Sequence, residues 1–124
     1  MPDHLHLLWM GLCEDSDQRN TMKFLHKHLA AELARRSLTG VEFQLQKQSH
    51  DRVLREKDRL CGAFEKSCFY ILDNPCRKEL VDRPSDWPYL GAVMPGHPFL
   101  HSLDEDFRES FWKIYQEKWE ALPT

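Results

Sequence analysis

Asp3-His4-Leu5-His6-Leu7-Leu8-Trp9-Met10-Gly11-Leu12 is the stretch that decides how this chain should fold. In an extended backbone successive side chains point to opposite faces. His4, His6, Leu8 and Met10 therefore share one side, and Leu5, Leu7 and Trp9 share the other. The run predicts a strand with both faces at least partly covered. Its two histidines project from the same face, about 7 Å apart along the chain, where two imidazole nitrogens can grip one divalent ion. Structural and surface histidine pairs share that spacing, so the pair alone does not choose between these roles.

Working outward, Gly11 and the cluster Glu14, Asp15, Ser16 and Asp17 predict a turn that also supplies helix caps. A helix is expected from about Gln18 to Arg36, because Met22, Leu25, Leu29 and Leu33 recur at spacings of three and four. Lys23, Lys27 and Arg35 lie on its other face. Gly40 ends that stretch, and Val41, Phe43 and Leu45 alternate with Glu42, Gln44 and Gln46 as in a half-buried strand. A second long helix is expected from about Glu56 to Asp73, with Leu60, Phe64, Cys68 and Ile71 inward. Pro75 should end it and bias Asn74 out of the helical region. Residues 83–98, rich in Pro and Gly, predict an irregular loop with at most a short strand. A final helix from about Leu103 to Ala121 carries Phe107, Phe111, Ile114, Tyr115 and Trp119 behind an acidic start.

A length of 124 residues, 41% hydrophobic and 30% charged, fits one compact domain. No apolar run approaches the roughly 20 residues of a membrane span, and no basic, cleavable leader opens the chain. A cytoplasmic protein without a membrane partner is expected. Cys13, Cys61, Cys68 and Cys76 form no closely spaced pair of the zinc-site kind, which leaves reduced, mostly buried thiols. Cys61 and Cys68, seven apart, would share one helix face.

The formal charge of −3 argues weakly against nucleic acid, since a binder must offset phosphate charge. Its distribution is uneven. Residues 1–18 hold four acids and no Lys or Arg, residues 19–66 hold 11 bases and 6 acids, and residues 67–124 hold 6 bases and 10 acids. His26, His28 and His50 also lie in the basic middle. That segment fits a phosphate-facing surface and equally a solvated helix face.

Tyr70 and Asn74 stand four apart at the end of the second predicted helix, hence on nearly the same face. A tyrosine hydroxyl there could approach an ion whose third protein ligand is the Asn74 carbonyl oxygen. Tyr70 also fits as a core or interface aromatic with a satisfied hydroxyl.

Taken together, these blocks resemble a known family. Met1-Pro2-Asp3-His4-Leu5-His6-Leu7-Leu8-Trp9 is similar to the metal-binding strand of the REP-associated tyrosine transposases, a branch of the insertion-sequence-200-like transposases among the HUH endonucleases. Tyr70-Ile71-Leu72-Asp73-Asn74-Pro75, then Leu80 and Val81, then Asp86-Trp87-Pro88-Tyr89, resembles the tyrosine helix and its exit. His50-Asp51-Arg52-Val53-Leu54-Arg55 resembles the family's basic segment. The likeness spans residues 1–90 as a partial transposase domain; residues 91–124 match no motif and are expected to add a C-terminal helix to the same globular unit. Members carry a strand, a helix and another strand before the histidine strand, and here the chain opens at Met1-Pro2. The resemblance therefore implies an α+β fold, an antiparallel sheet with packed helices, a ferredoxin-like palm lacking its first strand-helix-strand.

The chemistry it implies is cleavage of single-stranded DNA beside a hairpin, with Tyr70 as nucleophile, giving a 5′-phosphotyrosine link and a free 3′-hydroxyl. A divalent ion, Mn2+ or Mg2+, would be held by His4, His6 and Asn74; two imidazoles suit magnesium less well. Lys66, four residues before Tyr70, could favour the phenolate or be a plain surface lysine. Lys23, Lys27, Arg52 and Arg55 are the further candidates for DNA backbone contacts. Trp9, Trp87 and Tyr89 could stack on bases or anchor loops. A monomer or a homodimer is expected, with Tyr70 serving its own histidines or a partner's.

Two rival expectations stand beside this one. A catalytically inactive DNA-binding remnant would bind hairpin DNA without forming a covalent adduct. A small interaction domain would show no salt-sensitive DNA binding at all.

Overall fold

The computed structural model describes residues 3–36 and 45–121, and every regular element among them is helical. The elements are α1 (Gln18–Arg36), α2 (Glu56–Leu60), α3 (Ala63–Arg77), a 3-10 turn (Pro84–Asp86) and α4 (Phe107–Glu120). The expected α+β fold is therefore overturned: no strand and no sheet occur among the described residues. The physical reason is visible in the opening run, which has the side-chain alternation of a strand but no ladder. No backbone hydrogen bond is made by residues 4–10 to any described residue, and without a paired neighbour alternation alone does not make a sheet. The other predicted strand, Val41 to Gln46, lies outside the described residues except for Leu45 and Gln46, which are irregular.

The chain divides into two compact units, Cys13–Val53 and a second that joins Met1–Leu12 to Leu54–Thr124. The first holds α1. The Asp17 side chain accepts the Arg19 N–H at 2.8 Å and its carbonyl accepts the Thr21 N–H, so the acidic turn caps the helix as its composition requires. Met22, Leu25, Leu29 and Leu33 form the less exposed stripe, while Lys23, Lys27 and Arg35 are exposed.

In the second unit the single long helix expected from Glu56 is two. Gly62 sits at φ +70 between α2 and α3, a left-handed conformation that an L side chain adopts at a cost. This break separates Cys61 from Cys68, which no longer share a helix face. All four cysteines are free thiols, and none is buried; Cys13 and Cys61 are exposed.

Pro75, in turn, does not stop α3. Asn74 and Pro75 are both buried within it, and the helix runs on to Arg77. The ring withholds one N–H from the helical ladder, but the end is rebuilt immediately afterwards. Glu79 donates its N–H to the Cys76 carbonyl at 2.9 Å and Leu80 to the Pro75 carbonyl at 3.0 Å. This pair of bonds is the Schellman closure, with Glu79 at the left-handed position, φ +56.

α4 starts at Phe107 rather than Leu103 and pairs with α3 through aromatic rings. Phe64 meets Trp112 at 5.0 Å and Phe111 at 6.2 Å between centroids. Arg108 bridges to Glu65 at 2.6 Å beside them. Tyr115 donates its hydroxyl to the Gly11 carbonyl at 2.8 Å, which ties the opening segment to this helix. The interior is thin: Asn74, Pro75 and Met94 are the buried positions among the described residues.

Candidate active site

The histidine segment meets α3 at Tyr70. The rings of His4 and His6 lie 4.9 Å apart, edge to face. The ring of His6 lies 5.7 Å from that of Tyr70, again edge to face. Residues 64 positions apart in sequence thus share one small surface. The alternation of the opening run survives without a sheet: His6, Leu8 and Met10 are half-buried, whereas Leu5 and Leu7 are 60% and 52% exposed. His6 points inward for the same reason that Leu8 and Met10 do.

The two imidazoles differ. The Nδ1 of His4 is hydrogen-bonded to an Asp3 carboxylate oxygen at 2.6 Å, which holds the Asp3 carboxyl below the usual carboxylate range. A carboxylate on Nδ1 fixes the ring and leaves Nε2 for a further partner. Partial burial pushes the His6 imidazole below its ordinary value, and the charges of His4 and Lys78 push the same way. A neutral imidazole is the form that binds a metal.

Asn74 stands one turn beyond Tyr70 on α3 and is 3% exposed. Its Oδ1 is buried and accepts no hydrogen bond. Such an orphaned carbonyl oxygen is expensive in a folded protein. A cation would satisfy it. Two imidazole nitrogens and one amide oxygen suit a divalent ion of the manganese kind, so in donor chemistry the residues present fit the expected group. No cluster of three or more His, Cys, Asp or Glu residues with metal-binding proximity occurs among the described residues, and Asn74 is the residue that would complete this donor set.

Tyr70 is 46% exposed, and its hydroxyl makes no hydrogen bond to any described residue, in contrast to Tyr115. The face of its ring is covered by Arg77, whose guanidinium carbon lies 4.9 Å from the ring centroid. The sequence pointed to Lys66 as the cation beside Tyr70. Lys66 is exposed, and no hydrogen bond or ring contact joins its side chain to the phenol. Arg77 takes that place from seven residues downstream. Its signal was present, since i+7 is the same helix face and long side chains lean back toward the N-terminus.

Of the other proposed DNA contacts, Arg55 is exposed beside α2, its N–H donating to an Asp58 carboxylate oxygen at 3.0 Å. Lys23, Lys27 and Arg52 are exposed in the Cys13–Val53 unit. Trp87 and Tyr89 meet edge to face at 5.4 Å, with Tyr89 largely exposed.

No family model, curated protein or solved structure matches the chain. Among the described residues no helix is long and apolar enough to cross a membrane.

Proposed function

We propose that this chain is a single-stranded DNA transposase or nuclease of the tyrosine type, with Tyr70 as nucleophile and hairpin-flanked DNA as substrate. The observation that carries the reading is the meeting of the His6 ring with both the His4 ring and the Tyr70 ring, one helical turn from the residue whose side-chain oxygen is orphaned, Asn74. The phenol oxygen attacks a backbone phosphorus; the new oxygen–phosphorus bond forms as the bond to the 3′ oxygen breaks. The phenol gives up its proton and the departing 3′ oxygen takes one up, so the phosphodiester is conserved as a 5′-phosphotyrosine. His4, His6 and Asn74 would hold the divalent ion, which when bound supplies Lewis-acid polarisation of the phosphate. Asp3 keeps the His4 ring oriented, and the partial burial of His6 favours its unprotonated form. Lys23, Lys27, Arg52, Arg55 and Lys66 supply charge along the DNA backbone.

The test is incubation with hairpin DNA bearing a single-stranded flank, with manganese present. A denaturation-resistant protein–DNA adduct that disappears in Tyr70→Phe supports the proposal, and an adduct that survives that substitution rejects Tyr70. A second reading, an inactive DNA-binding remnant, draws support from the unpaired backbone of residues 4–10, which leaves the two imidazoles without a sheet to hold them. Salt-sensitive hairpin binding without an adduct at any manganese concentration selects that reading.

A further inference from the structure

Arg77 stands two turns beyond Tyr70 on α3, at the helix end, and is exposed. Asp73 lies four residues before it, the spacing at which a carboxylate and a guanidinium pair across one turn. No ion pair joins them. Arg35, Arg36, Arg83 and Arg108 each hold a carboxylate. Arg77 has neither an ion pair nor a hydrogen bond among the described residues, and its guanidinium lies over the Tyr70 ring instead. The contact places a cation over the ring, and the N–H edge of the guanidinium meets no acceptor among the described residues. That edge carries the parallel donors that match two oxygens of a phosphate. Lys78, the next residue, adds a second cation whose field reaches His6. On the other side, the carboxylate of Asp3 is engaged by His4.

We infer that Arg77 is the phosphate-holding residue of this site: its guanidinium takes two non-bridging oxygens of the backbone phosphate that Tyr70 attacks, and so brings the phosphorus to the phenol oxygen. The inference rests on the reading of Tyr70 as nucleophile, and it names a contact to substrate that the metal ligands do not provide. A diester is the ligand class because one bidentate arginine matches its single negative charge.

The test uses the full chain and a twenty-residue oligothymidylate, with affinity measured across a salt series for wild type, Arg77→Gln and Arg77→Lys. Tyr70 ring resonances are followed in the same titrations; with three tyrosines in the chain they can be assigned by substitution. Arg77→Gln should weaken binding about tenfold or more, the range of a charge-assisted contact, and lower the salt slope by about 0.7, one single-strand phosphate. It should also abolish the DNA-induced shift of the Tyr70 ring. Arg77→Lys should keep the slope and recover only part of the affinity. An unchanged slope, an undiminished Tyr70 shift in Arg77→Gln, or equally tight binding of an oligoglutamate overturns the inference. Adduct formation at the wild-type rate in Arg77→Gln also overturns it while leaving Tyr70 as nucleophile. Arg77-dependent binding with no adduct does the reverse: the phosphate contact stands and the nucleophile reading falls.

Discussion

Tyr115, in the last helix, donates its hydroxyl to the carbonyl of Gly11 at 2.8 Å, a bond that spans 104 positions of sequence and fastens the far end of the histidine segment. The same ring lies among Phe111, Trp112 and Trp119, so the aromatic row of α4 sets where the segment is tied.

Tyr115→Phe keeps those ring contacts and removes the one bond. A net loss of about 0.5–1 kcal/mol is expected, the scale of a partly exposed hydrogen bond, measured as a lower midpoint in urea. An unchanged midpoint would mean that Gly11 is held by something other than the hydroxyl.

Asn74→Leu separates stability from function. The orphaned Oδ1 costs the folded state on the order of 1–3 kcal/mol as an unsatisfied buried group, and an apolar side chain of similar size removes that cost. Unfolding free energy without metal should hold or rise, while manganese-dependent adduct formation with hairpin DNA is lost. Clear destabilisation in the metal-free protein would show that Asn74 serves packing rather than a ligand.

Glu79→Gly should stabilise the chain by about 0.5–1 kcal/mol. Glu79 occupies the left-handed position of the α3 closure at φ +56, where an L side chain costs roughly 1–2 kcal/mol and glycine gives back part of that through its own entropy. Glu79→Ala retains a Cβ and should give little gain; equal effects of Gly and Ala would assign the change to charge.

His6 should titrate below the ordinary imidazole value, because of its partial burial first and of the Lys78 charge after it. The folded state then binds fewer protons at His6 than the unfolded chain does. Its contribution to stability is complete above the ordinary imidazole value near 6.5 and declines as pH falls from there to the depressed folded value. Histidine proton resonances followed through that range provide the check, with Lys78→Gln expected to move the His6 midpoint upward. A His6 midpoint at or above the ordinary imidazole value would contradict the arrangement.

The parts of the fold that were legible in the sequence are those set by local chemistry. The bounds of α1 follow from the Asp17 cap and the Met22, Leu25, Leu29 and Leu33 stripe, and the aromatic face of α4 from its spacing. Two local breaks misled in opposite directions. The helix expected from Glu56 to Asp73 ran through Gly62, which instead separates α2 from α3, because only its backbone angle shows the left-handed turn. Pro75 looked terminal and is carried inside α3, because burial and the Schellman bonds offset a single lost N–H. The sheet failed for a non-local reason: period-two alternation specifies which way side chains point and says nothing about whether a ladder partner exists. Alternation was still enough to set His6 on the side of Tyr70. Arg77 was not read from the sequence at all, although i+7 lies on the same helix face, where its guanidinium meets the Tyr70 ring.

The histidine segment, fastened at Gly11 and touching Tyr70 through His6, carries amide protons that no described acceptor protects. An ion clasped there would act as a staple across a loose strap: chelation would slow deuterium uptake in residues 4–10, and part of its enthalpy would go into ordering that stretch.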